Sequence, residues 1–172
     1  MSRIINEPSI KTPLIAALRE LLEHRALWMY FLCDEVEKKG LKPQEYAPAA
    51  IRRCGEYQGG LLVKKGKKGK SLKGLKKALF GFFARRVFEM KILNCDDEHL
   101  DIDFSYCPLV KAWQKQGCSD ERIEMMCKHA MCGDRGIGSC FDAELELRQT
   151  IAEGAQTCQL RYFKNTEGNK LQ

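Results

Sequence analysis

The sequence predicts an α+β fold: one four-stranded antiparallel sheet made of two hairpins, helices packed on one of its faces, and a helical N-terminal region. Three observations predict it. Residues 12–39 repeat apolar side chains at helical spacing, and residues 99–106 (HLDIDFSY) alternate apolar with polar. A second alternating pair, residues 144–151 and 157–163, follows a long helical stretch. Two hairpins separated by helices are satisfied by a single sheet covered on one side. At 172 residues, a single domain with a substantial core is expected.

The first helix opens at Thr12-Pro13 and stops at Gly40. Leu14, Ala17, Leu18, Leu21, Trp28, Leu32 and Val36 form the stripe expected to face the core; Arg25 lies on it too and is expected to snorkel at its edge, the alternative being a buried counter-charge. A second helix is expected from Pro43 to about Gly55 or slightly beyond. Residues 64–77 (KKGKKGKSLKGLKK) then hold eight lysines and no acid, so a net charge of +6 leaves the rest of the chain at −2. One segment is basic, not the whole chain, which argues against nucleic acid as the main partner. That segment is expected to be a mobile loop. Gly69-Lys70-Ser71 has the look of a phosphate-binding loop, but Lys64 stands where that motif needs glycine.

An apolar run over 79–84 leads into a strand expected over 86–94. The turn Cys95-Asp96-Asp97-Glu98 joins it to the alternating strand of 99–106. In the second hairpin Glu153-Gly154-Ala155 turns the chain, and Cys158, Leu160 and Tyr162 share one strand face. Residues 165–172 are expected to fray.

Two features between the hairpins point to chemistry. Cys107 precedes Pro108 at a helix start, where unpaired N–H groups and the helix dipole favour an anion, and thiolate is the reactive form of cysteine. The plainer alternative is a buried, inert thiol. Ser119 caps a second helix, with Asp120 and Glu121 in its first turn. Ile123, Met126, Cys127, Ala130 and Ile137 make its stripe, with Asp134 near the centre and His129, Cys132 and Arg135 off it. A carboxylate so placed is paired, hydrogen-bonded or protonated. Alternatively, Gly133, Gly136 and Gly138 end the helix early and leave Asp134 as a solvated cap.

Nine cysteines, an odd set without a CxxC pair, speak for reduced thiols and a cytoplasmic setting. No apolar run long enough for a membrane span occurs, and charges throughout the first thirty residues argue against a secretory leader. A metal site drawn from Cys107, Cys127, His129, Cys132, Cys140 or Cys158 is a competing reading, although the Cys127–Cys132 spacing is unlike a short ligand knuckle.

Several motifs recur together: Cys107-Pro108 before a helix containing Trp113, Gly117 with the Ser119 helix start, and Cys132-Gly133-Asp134-Arg135. Thr150-Ile151-Ala152-Glu153-Gly154 followed by Cys158, and Ala50-Ile51-Arg52-Arg53-Cys54-Gly55 upstream, complete the set. Over residues 14–163 this pattern resembles the L-2-amino-thiazoline-4-carboxylic acid hydrolase family. A more distant likeness, in helix and hairpin order only, is to 4-vinyl-reductase-type sensor domains.

The resemblance implies hydrolytic opening of a five-membered cyclic amidine-like ring to a carbamoyl-cysteine, with attack at the carbon between nitrogen and sulfur. It implies Cys107, Asp134 and Cys158 as catalytic residues, Cys107 as nucleophile or oxyanion-side group and Asp134 as the acid–base residue. Arg135, holding a substrate carboxylate, and Trp113 are the implied substrate-binding residues. No cofactor is expected. The expected partners are a small carboxylated substrate and, in a homodimer, a second copy of the chain, with neither membrane nor nucleic acid. The lysine-rich insert and the surplus cysteines depart from the family pattern and leave the substrate open. Two other classes compete: a non-catalytic small-molecule sensor, and a structural interaction protein that uses the lysine segment as its contact.

Overall fold

A computed structural model describes residues 2–66 and 69–165. Helix α1 spans Pro13–Lys38, as its start and stop signals predict. The stripe expected to face the core does not. Leu14, Leu21, Trp28 and Leu32 are 58–68% exposed, while Ile15, Arg19, Ala26 and Cys33 are buried. The helix is apolar on two sides, so periodicity alone leaves its rotation undecided. The small Ala26 side decides it, because α1 can then lie close to a helix that follows the first hairpin, α5 (Pro108–Lys115). There the Trp113 indole Nε1–H donates to the Ala26 carbonyl at 3.2 Å. Arg25 remains exposed.

Helix α2, Pro43–Lys65, runs a further ten residues past the expected end. The lysine-rich segment is not one mobile loop. Ser71 caps helix α3 (Leu72–Leu79), its hydroxyl accepting from the Gly74 N–H at 3.0 Å. Leu72 and Leu75 are buried in the core, because they recur on one helical face between the lysines. Helix α4, Phe82–Val87, takes up the start of the strand expected over 86–94, which begins instead at Met90. Glu89, at φ +51°, makes the turn between them.

Strands β1 (Met90–Cys95), β2 (His99–Phe104), β3 (Ala143–Leu147) and β4 (Cys158–Lys164) form one antiparallel sheet in the order β1-β2-β4-β3. Alternation sets the faces. Leu100 pairs with Tyr162 and Ile102 with Leu160, all four at most 1% exposed. Helix α6 (Asp120–Cys140) begins at the Ser119 cap, where the Ser119 hydroxyl accepts from the Arg122 N–H, and continues through Gly133, Gly136 and Gly138. Those glycines do not end it because α2 crosses there. A Cβ on Gly136 would lie 2.4 Å from the Arg52 carbonyl oxygen. Asp134 is therefore a helix-interior residue and not a cap. The expected fraying of residues 165–172 falls, beyond Asn165, outside the described residues; Asn165 itself donates its N–H to the Asp142 carbonyl at 2.7 Å. No helix among the described residues is long and apolar enough to cross a membrane.

Candidate functional site

A cavity of about 580 Å³ lies among α1, α2, α4, α5, α6 and the inner face of the sheet. Proline and tertiary packing place its first polar group. Pro108 starts α5, so Cys107 stands at the N-cap and lines the cavity. Its backbone is clamped by the N-terminal arm: Asn6, 2% exposed, accepts from the Cys107 N–H at 2.9 Å and donates to its carbonyl at 2.8 Å. Trp113, Asp134 and Cys158 line the same cavity. So does Cys127, two helical turns before Asp134 on the same face of α6, a spacing that could have marked it as a site residue.

Asp134 is the unusual group. Burial pushes its carboxyl up from 3.8 to about 6, against the opposing pull of the Arg25 charge, its own backbone N–H and the Arg135 charge. No other described side chain reaches that carboxylate within hydrogen-bonding or ion-pairing distance. Its oxygens are open to the cavity.

The sequence leaves two readings of Cys107 open, a thiolate favoured by the helix start and a buried, inert thiol; the N–H groups of Val110 and Leu109 act toward the first. Burial is the larger effect, reinforced by the Asp134 charge, and it raises the Cys107 thiol. Burial likewise pushes Cys158 up to about 12, with the Ile151 N–H donating to its sulfur at 3.2 Å, and raises Cys127 well above the ordinary thiol range. The charges of Cys107, Cys127, Cys158 and Asp134 bias one another, so the four form one cluster.

Arg135 does not line this cavity. It lies in an adjoining cleft of about 180 Å³ with Glu124, Lys128 and Glu153, which shares Cys127, Met131, Leu147 and Thr150 with the main cavity wall. The cation on the main cavity is Arg25 of α1. His129, expected off the apolar stripe, is 6% exposed and its Nδ1 has no partner among the described residues. Among those residues, no group of three or more His, Cys, Asp or Glu is arranged to hold a metal ion.

A family model described as L-2-amino-thiazoline-4-carboxylic acid hydrolase matches residues 19–162. The chain belongs to this family. Among curated proteins, none matches. The matched region holds the entire Cys107–Cys127–Asp134–Cys158 cluster and Arg25, and leaves out the Asn6 arm that clamps Cys107. Hydrolysis is the reaction class that the family name carries.

Proposed function

We propose that this chain is a hydrolase that opens a small cyclic amidine or thiazoline-type ring in the Asp134 cavity, as in hydrolysis of L-2-amino-thiazoline-4-carboxylate to carbamoyl-cysteine. The observation that carries the reading is a lone carboxylate, held at about 6, facing an apolar cavity. Near neutral pH such a group is mostly ionised, yet basic enough to accept a proton in a transition state.

Asp134 takes a proton from the attacking group, a water or the Cys107 thiol, as it adds to the ring carbon between nitrogen and sulfur. The carbon–sulfur bond breaks, and Asp134 returns the proton to the leaving sulfur. If Cys107 is the attacking group, a water then hydrolyses the covalent intermediate and frees the thiol. The raised thiol makes Cys107 dependent on Asp134 for its activation. Arg25 supplies a positive charge at the mouth for a substrate carboxylate.

The test is turnover of a panel of cyclic amidines and thiazolines by the purified chain, followed by release of thiol or carbamoyl product. Ring opening that is lost in Asp134→Asn supports the reading. The second reading, a binding or sensor module, draws on the three raised cavity thiols, none of which is a preformed nucleophile. Binding of the panel without turnover would select it.

A further inference from the structure

The cavity is much larger than the ring assigned to it. Its volume of about 580 Å³ falls in the range that encloses a ligand of drug size. A five-membered ring bearing an amino group and a carboxylate fills only part of that space.

The walls also differ in chemistry. Asp134 and the Cys107, Cys127 and Cys158 thiols meet on the wall made by α5, α6 and β4. The wall made by α3, α4 and β1 presents Leu79, Phe80, Phe83, Val87, Phe88 and Met90, without a charged side chain among them. Two of its aromatic rings are held in place, while Phe83 is half-exposed. Phe88 packs on Phe104 with centroids 5.4 Å apart, and Phe80, 4% exposed, packs on Tyr162 at 6.0 Å. A wall of this kind recognises a hydrocarbon surface.

We propose that the ring substrate carries an apolar group, aryl or branched alkyl, that packs against the Phe80–Phe83–Phe88 wall while its amidine nitrogens face Asp134. This rests on the ring-opening reading above. Ring N–H groups supply the donors that no side chain among the described residues offers to the Asp134 carboxylate, and the apolar group removes the aromatic wall from water. The unadorned amino-thiazoline carboxylate satisfies only the first of these demands and leaves the aromatic wall uncovered.

The experiment compares 2-amino-thiazoline-4-carboxylate with the same ring bearing a phenyl or isobutyl group. The purified full chain is assayed for kcat/KM, and each dissociation constant is measured by calorimetry. At least a roughly tenfold higher kcat/KM is expected for the apolar derivatives, the gain from burying one such group. Ala84→Trp, which projects a ring into the α4 side of the cavity, is expected to bring that ratio toward one. Turnover of the parent carboxylate equal to or better than that of its derivatives overturns the inference and leaves the ring-opening reading standing. If no compound is opened but the phenyl derivative binds at least tenfold tighter, and Ala84→Trp erases the difference, ring opening fails and the apolar ligand class stands. Absence of both turnover and preference overturns both.

Discussion

Gly55 of α2 and Gly133 of α6 meet backbone to backbone: a Cβ on Gly55 would lie 2.1 Å from the Gly133 carbonyl oxygen. This contact sets the distance between α2 and α6, immediately beside Asp134. Gly55→Ala is expected to force them apart and to destabilise the fold by about 2–3 kcal/mol, because neither partner is a side chain that can move aside. Thermal melting measures this. A melting temperature unchanged from wild type would show that the helices separate freely.

Asp134 carries a stability cost with a defined pH window. Its folded-state value, about 6, lies above its ordinary 3.8, so the folded chain binds the extra proton between those values. Its contribution is most favourable below pH 4 and is lost as pH rises through 6, by roughly 3 kcal/mol. Asp134→Asn is therefore expected to melt higher than wild type at pH 7 and to match it more closely at pH 4. Ring opening, which needs the ionised form, is expected to rise with pH through about 6 and to vanish in the variant. A variant that melts much lower yet turns over normally per folded molecule would remove Asp134 from catalysis.

Alkylation separates helix-start acidification from burial at the thiols. Cys107, Cys127 and Cys158 are all raised, whereas Cys54 is exposed. Brief treatment with iodoacetamide near neutral pH is expected to label Cys54 well before those three, with Cys107 accelerating only under alkaline conditions. Peptide mass spectrometry reads the order. Labelling of Cys107 ahead of Cys54 would show that the helix start outweighs burial after all.

Arg19 and Glu89 form a buried ion pair at 2.9 Å, their side chains 5% and 9% exposed. Arg19 also donates to the Ile10, Arg86 and Val87 carbonyls, and its guanidinium lies 4.2 Å from the centre of the Tyr106 ring. Burial pushes the Glu89 carboxyl up, but donors from Ile10, Ser9 and Arg19 outweigh this and hold it below its ordinary value. Removing one partner strands a charge, so Arg19→Met and Glu89→Gln are each expected to cost about 3–5 kcal/mol. The double variant is expected to lose less than the sum of the two. Strict additivity in chemical denaturation would show that the two side chains act independently.

Leu75, fully buried on α3, distinguishes a packed helix from a mobile basic segment. Leu75→Ala is expected to cost about 2–5 kcal/mol, whereas Lys76→Ala, on the same helix, should change little. Equal melting temperatures for the two variants would return the segment to solvent.

Signals that act within one helical turn or one strand pair could be read from the chain alone. Thr12-Pro13, Pro43, Pro108 and Ser119 marked where helices begin, and the alternation of Leu100, Ile102 and Phe104 marked the inner face of β2. Cys107 and Asp134 stood out because each sits where its chemistry conflicts with its local setting. Tertiary structure decided what depends on sums over distant elements. The rotation of α1 was settled by the close approach of α5, and the continuation of α6 through its glycines by the α2 backbone at Arg52 and Gly55. Arg25 faces the cavity and Arg135 its neighbouring cleft because rotation about a helix axis is fixed only by the partners packed against it. The thiol of Cys107 followed the same rule: the helix start acts locally and lowers it, but desolvation accumulates from every element around the cavity and prevails.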